Sequence, residues 1–134
     1  MPSALQARNA TTRSDRADVL PEASVALLQA RIRDVLQRIE QSGRTLLDME
    51  RDCFAPFPPK LRFVSPIADG ADQISGEIAL DLGWELQAIL PFERAAYRAS
   101  LANHGARERF DALLERSGCL LELPGDPDRG LDAY

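Results

Sequence analysis

The chain has 134 residues, 45% hydrophobic and 28% charged, with a net charge of −5. That length and composition fit one soluble globular domain, and no apolar run approaches the length of a membrane span. The acidic balance, with Lys60 as the single lysine, argues against a general nucleic-acid surface, which needs clustered cations to release counterions from phosphates.

Residues 1–19 are polar, and Asn9 to Arg16 shows no period, so a disordered leader is expected there. A single domain is expected over 20–134. The leader lacks the apolar core of a signal peptide. Cys53 and Cys119 are far apart and form no Cys-x-x-Cys pair, and His104 is the one histidine. No metal site and no cofactor can be assembled from these, and the expectation is a reducing, cytoplasmic compartment. Both cysteines have apolar neighbours and read as buried free thiols.

Pro21 and Glu22 suit a first helical turn. Val25, Leu28, Ile32, Val35, Leu36 and Ile39 then recur at spacings of three and four, which predicts a one-sided helix over 21–42 that covers a sheet. Gly43 reads as its stop. A coiled coil fits less well, because the apolar pattern lasts barely two heptads. Residues 44–59 read as a connection, since Pro56, Pro58 and Pro59 remove backbone donors. Phe54 and Phe57 are expected to tuck against the core.

Leu61–Ser65 reads as a strand, 71–82 as a helix with Ile74, Ile78 and Leu82 on one face, and 84–90 as the next strand after Gly83. Strand, helix and strand within about thirty residues is the βαβ unit, with parallel pairing and a right-handed crossover. Helical segments are predicted over 93–102 and 106–117, broken at Asn103-His104-Gly105, followed by a short strand at 119–123 and a turn-rich tail. Trp84 reads as core and His104 as a surface loop residue. The fold class expected is α/β, an open, mainly parallel three-layer sheet of about three strands, small or incomplete. One of its edges is then available to a second copy, making a homodimer through a sheet edge.

Ligands of such sheets bind beyond the carboxyl ends of the strands, where strand order reverses. Stretches 65–72, 90–97 and 123–130 reach that rim, and the first is the most suggestive. Gly70 permits a close backbone approach, and the amides after it open a helix and can receive a polar or anionic group. Ser65 would place its hydroxyl in the same space. Asp69 and Asp72 would repel a phosphate; Asp72 reads first as a helix cap and second as an acceptor for ribose hydroxyls. Glu77 reads first as a solvated helix face and second as a rim acid/base. Arg94 could hold a phosphate with Tyr97 stacked on a base, or Phe92 and Tyr97 could pack at the core edge with Arg94 solvated; the sequence leaves both open.

The run Leu61-Arg62-Phe63-Val64-Ser65-Pro66-Ile67-Ala68-Asp69-Gly70-Ala71-Asp72, continued by Glu77, Leu90-Pro91-Phe92, Arg94 and Tyr97, resembles the Ser-x-x-Ala-x-Gly-Ala-Asp segment of Rossmann-like SLOG proteins. That superfamily joins the DNA-processing protein A family to the LOG phosphoribohydrolases, and the chain looks most like its uncharacterised bacterial members. The match covers about residues 60–123. The resemblance implies recognition of a nucleotide or nucleotide-derived small molecule by Gly70, Ala71, Asp72 and Glu77, with Ser65, Arg94 and Tyr97 beside them. Two departures stand out. The usual first strand with a Gly-x-x-Gly-His-Arg-like loop has no counterpart in Gln6 to Val19, and the usual C-terminal continuation is missing. The LOG-type Pro-Gly-Gly-x-Gly-Thr-x-x-Glu signature is also absent. Binding or sensing is therefore expected before catalysis. The alternatives are a nucleoside monophosphate N-glycosidic hydrolase, with Glu77 or Asp72 as acid/base, and a non-catalytic interaction module.

Overall fold

The computed structural model describes residues 21–129; the expected leader at 1–19 lies outside them. Pro21 precedes α1 (Glu22–Met49), and after a single tight turn at Arg51–Cys53 the chain runs through the proline-rich loop to β1 (Arg62–Ser65). Then follow α2 (Ala71–Asp81), β2 (Glu85–Leu90), α3 (Arg94–Ser100), α4 (His104–Glu115) and β3 (Cys119–Glu122).

The strands lie in the order β1-β2-β3, and both pairings are parallel. Two successive right-handed crossovers that step the same way across a sheet must pass over the same face. Accordingly α2 and the α3–α4 pair cover one side only. Alternation along β2 records this: Leu86, Ala88 and Leu90 are completely buried, while Glu85, Gln87 and Ile89 stay partly exposed. Against the buried stripe pack Ile67, Phe92, Tyr97, Leu101, Phe110 and Leu113. A second cluster joins Ile74, Ile78 and Ala79 of α2 to Leu36 of α1 and to Trp84, with Val25, Leu28 and Ile32 at its margin. Trp84 is core, as its sequence position implied, although its indole N–H has no hydrogen-bond partner.

The open parallel sheet of three strands agrees with the expectation. The third layer does not appear among the described residues: they make one sheet and one helix layer, and leave the face bearing Val64, Ile89 and Leu121 bare.

Three local expectations are corrected. Gly43 does not stop α1, which continues two further turns to Met49. A mid-helix glycine costs only about 1 kcal/mol, and the extension is held by Thr45 Oγ1 donating to the Gln41 carbonyl at 3.0 Å and by the Arg44–Glu40 ion pair. Phe54 and Phe57 do not tuck into the core; Phe57 is 76% exposed. Cys53 and Cys119 are exposed rather than buried. Their apolar sequence neighbours misled, because Cys119 shares a strand register with Gln87 on the bare face.

Gly43 is helical with nothing within 4 Å of the position a Cβ would occupy. Gly43→Ala should therefore raise unfolding stability by up to about 1 kcal/mol, read as a higher urea midpoint at unchanged slope. A lower midpoint would contradict an open helical site there.

Candidate functional site

The candidate site is the loop between β1 and α2. Gly70 carries φ +81° and ψ −118°, a conformation that disfavours any side chain. It is the residue before the first helical turn of α2, and no side chain caps that turn. The expected capping role of Asp72 is thereby corrected: Asp72 lies inside the helix, one position too late to accept from the first-turn amides as a cap does.

The loop is fixed from both ends. Ser65 is buried, and its hydroxyl accepts the Ile67 amide at 2.9 Å. Ile67 has φ +55° and is 1% exposed, a left-handed conformation rare for a β-branched residue. Asp69 accepts the Ala102 amide at 2.7 Å, and the buried amide of Gln73 donates to the Ala106 carbonyl at 2.9 Å. Both bonds tie the loop to the α3–α4 connection, where Asn103 caps α4 by accepting the Ala106 amide. Arg107 reaches back from α4 to the carbonyls of Ala99 and Leu101. Asp69 is thus a brace as well as a charge near the rim. Gln73 and Arg107 were missed from the sequence; the one signal for Gln73 was a polar residue beside Ile74 on a helix that must cover the sheet.

On the bare side of the same rim, Val64, Ser65, Pro66, Ile89, Pro91 and Leu123 line a shallow apolar notch of about 250 Å³. All three predicted stretches do follow strand carboxyl ends, but the strand order among described residues never reverses, so they form no switch-point crevice.

The other predicted residues fall elsewhere. Glu77 is gripped by Arg109 through two bonds of 2.9 and 2.7 Å, across the α2–α4 contact. That pair raises the affinity of the Arg109 guanidinium for its proton. Tyr97 is 4% exposed and packs edge-on to Phe92 and obliquely to Phe110, so the core reading holds and base stacking does not. The Arg94 side chain lines a groove beside β3 with Arg98, Asp111 and Leu120, none of which borders the notch, while its backbone amide donates to Glu122. The rim therefore keeps Ser65, Gly70, Ala71 and Asp72, and loses Glu77, Arg94 and Tyr97. His104 is exposed in the first turn of α4, beside Glu108.

Two carboxylates near this rim are held below their ordinary range. Glu93 accepts the amides of Ala95 and Ala96 at the start of α3. Asp111 receives the Arg98 guanidinium through three contacts of 2.7 to 2.9 Å. Among the described residues no group of three or more His, Cys, Asp or Glu could hold a metal ion, and no helix is long and apolar enough to cross a membrane. No protein family, curated protein or solved structure matches the chain.

Removing the Asp69 brace should loosen the loop without unfolding the sheet. Asp69→Ala is expected to cost about 1–2 kcal/mol, the range for one charged acceptor partly open to water, and to speed hydrogen exchange at the Ala102 amide. Unchanged exchange at Ala102 would refute the brace. Acid provides a second check. Because the folded pKa values of Glu93 and Asp111 lie below the unfolded ones, their stabilisation is complete above about pH 5 and fades as pH falls through the folded values. The urea midpoint should drop between about pH 5 and 3, and Glu93→Gln with Asp111→Asn should shrink that drop.

Proposed function

We propose that this chain is a binding module for a nucleotide-derived small molecule, taken at the carboxyl end of β1, and that it is not a hydrolase. The observation carrying this reading is the β1–α2 turn: an uncapped helix start behind a glycine at φ +81°, on a loop braced by Asp69 and Gln73. A loop held this firmly keeps its amides aimed outward at no ordering cost when a ligand arrives. The apolar notch beside Ser65 suits a flat ring, while the uncapped amides suit a polar group of the sugar or a weakly charged tail. Asp69 and Asp72 set the preference between nucleosides and nucleotides. Their negative charge favours hydroxyl donors of a ribose over a dianionic phosphate.

The hydrolase alternative needs a free acid close to that turn. Glu77 is committed to Arg109, and Arg94 lies beside Asp111 rather than at the notch. Asp72 stays the one carboxylate of that scheme near the turn. A module completed by a partner is the second reading, favoured by the bare sheet face with Val64 and Leu121 about half exposed. Pairing through a sheet edge would belong to it.

Titration of isotope-labelled protein with adenosine, guanosine and their monophosphates tests the first reading. Shifts are expected at the amides of Gly70, Ala71 and Asp72, larger for the nucleosides. Gly70→Ala forces a side chain into a disfavoured conformation and should weaken binding about tenfold or more. No shift at millimolar ligand would sink the proposal.

A further inference from the structure

The exposed side of α1 carries a pattern that the fold does not use. Val25, Leu28, Ile32, Val35, Ile39, Ser42, Leu46 and Met49 follow an unbroken three–four alternation, one heptad seam running from the first turn to the last. The first part of that seam lies against α2 and the core. From Val35 onward the protein turns a different stripe inward, through Leu36, Gly43 and Leu47. The second part of the seam is left in water: Val35 is 53% exposed, Ile39 47%, Leu46 53% and Met49 74%. With Ser42 these residues fall within an arc of about 80° and a length of about 21 Å.

Three features say what covers them. First, the stripe is close to palindromic about Ser42. Ile39 and Leu46 flank it at three and four residues, and Val35 and Met49 at seven, so a reversed copy meets apolar with apolar and the small serine with itself. A self-complementary patch is what a two-fold dimer requires. Second, charge is divided along the helix. Arg31, Arg33 and Arg38 predominate before Ile39, whereas Glu40, Asp48, Glu50 and Asp52 predominate after it. Antiparallel pairing sets the basic half against the acidic half, and opposes the two helix dipoles; parallel pairing would align like with like. Third, the same two-fold brings Arg31 beside Asp52 of the partner subunit, and neither residue is ion-paired within the described chain.

We infer that two copies of this chain associate through α1, helix antiparallel to helix, about a two-fold axis at Ser42. Four apolar side chains from each copy bury an area near the lower limit for specific association, roughly 1,000 Å² in total. The dimer is therefore concentration-dependent. It leaves the β1–α2 turn and the bare sheet face untouched, and so stands or falls independently of the ligand reading.

Sedimentation velocity of the full chain over a dilution series reads it directly. The wild type should be dimeric at high micromolar concentration and dissociate on dilution. Ile39→Glu with Leu46→Glu places unpaired charges in the seam and should weaken association at least about a hundredfold. Its circular dichroism should match the wild type, because both positions are exposed. Orientation is read by oxidation of Cys53→Ser, Cys119→Ser protein. Ser42→Cys should form an intermolecular disulfide, whereas Val35→Cys should not, since its two copies would lie about 21 Å apart along the seam. A monomer at every concentration overturns the inference. So does a dimer that survives the two glutamates, one lost on Val64→Lys of the bare sheet face instead, or equal cross-linking at 35 and 42.

Discussion

A right-twisted strand feeding a helix and returning to a parallel neighbour packs back onto the sheet with only one hand. Here that rule acts twice in the same direction, from β1 to β2 and from β2 to β3. Both crossovers are forced over one face, and the asymmetry of the molecule follows. The buried stripe of Leu86, Ala88 and Leu90 receives every helix contact, so α2 and α4 must meet over it and the Glu77–Arg109 pair can close across them. The opposite face keeps Val64, Ile89 and Leu121 in contact with water. The helix layer also ends at α1, which lies over α2 with one side of its surface unused.

The same constraint shapes the rim. With the helices on one side, the β1–α2 turn and the α3–α4 connection come to lie next to each other at the carboxyl ends of the strands. Asp69 and Gln73 then have backbone groups of Ala102 and Ala106 within reach. These bonds hold a loop that contains two unfavourable backbone conformations, Ile67 and Gly70. The strain at Ile67 persists because its side chain is fully enclosed and its amide is satisfied by Ser65. A turn secured in this way presents the first amides of α2 in a fixed direction, which is the physical basis for assigning binding rather than chemistry to it.

Much of this was legible in the residues. The strands were found to within one residue at each end, because alternation and flanking Gly and Pro are local signals. Gly70 was recognised from its place between a strand and a helix, and its positive φ bears that out. Reading Gly43 as a stop failed for a local reason as well: a glycine weakens a helix without ending it unless the following residues need another conformation, and Arg44 to Met49 are good helix formers. Truncating the helix there also hid the second half of the heptad seam. The Phe54-Phe57 loop failed for a different reason, since hydrophobicity does not guarantee an apolar surface to rest on.

The sequence by itself determined the element order, the parallel βαβ path and the glycine turn, since each rests on neighbours a few residues apart. Only the tertiary structure decided which polar side chains reach the rim. Glu77 is claimed by Arg109, thirty-two residues away. Tyr97 is drawn inward by Phe92 and Phe110, and Asp69 is turned to Ala102, thirty-three residues away. Spacing along a chain fixes which face of an element a residue occupies. What that face meets depends on how the elements are layered, and here the layering followed from the direction of two crossovers.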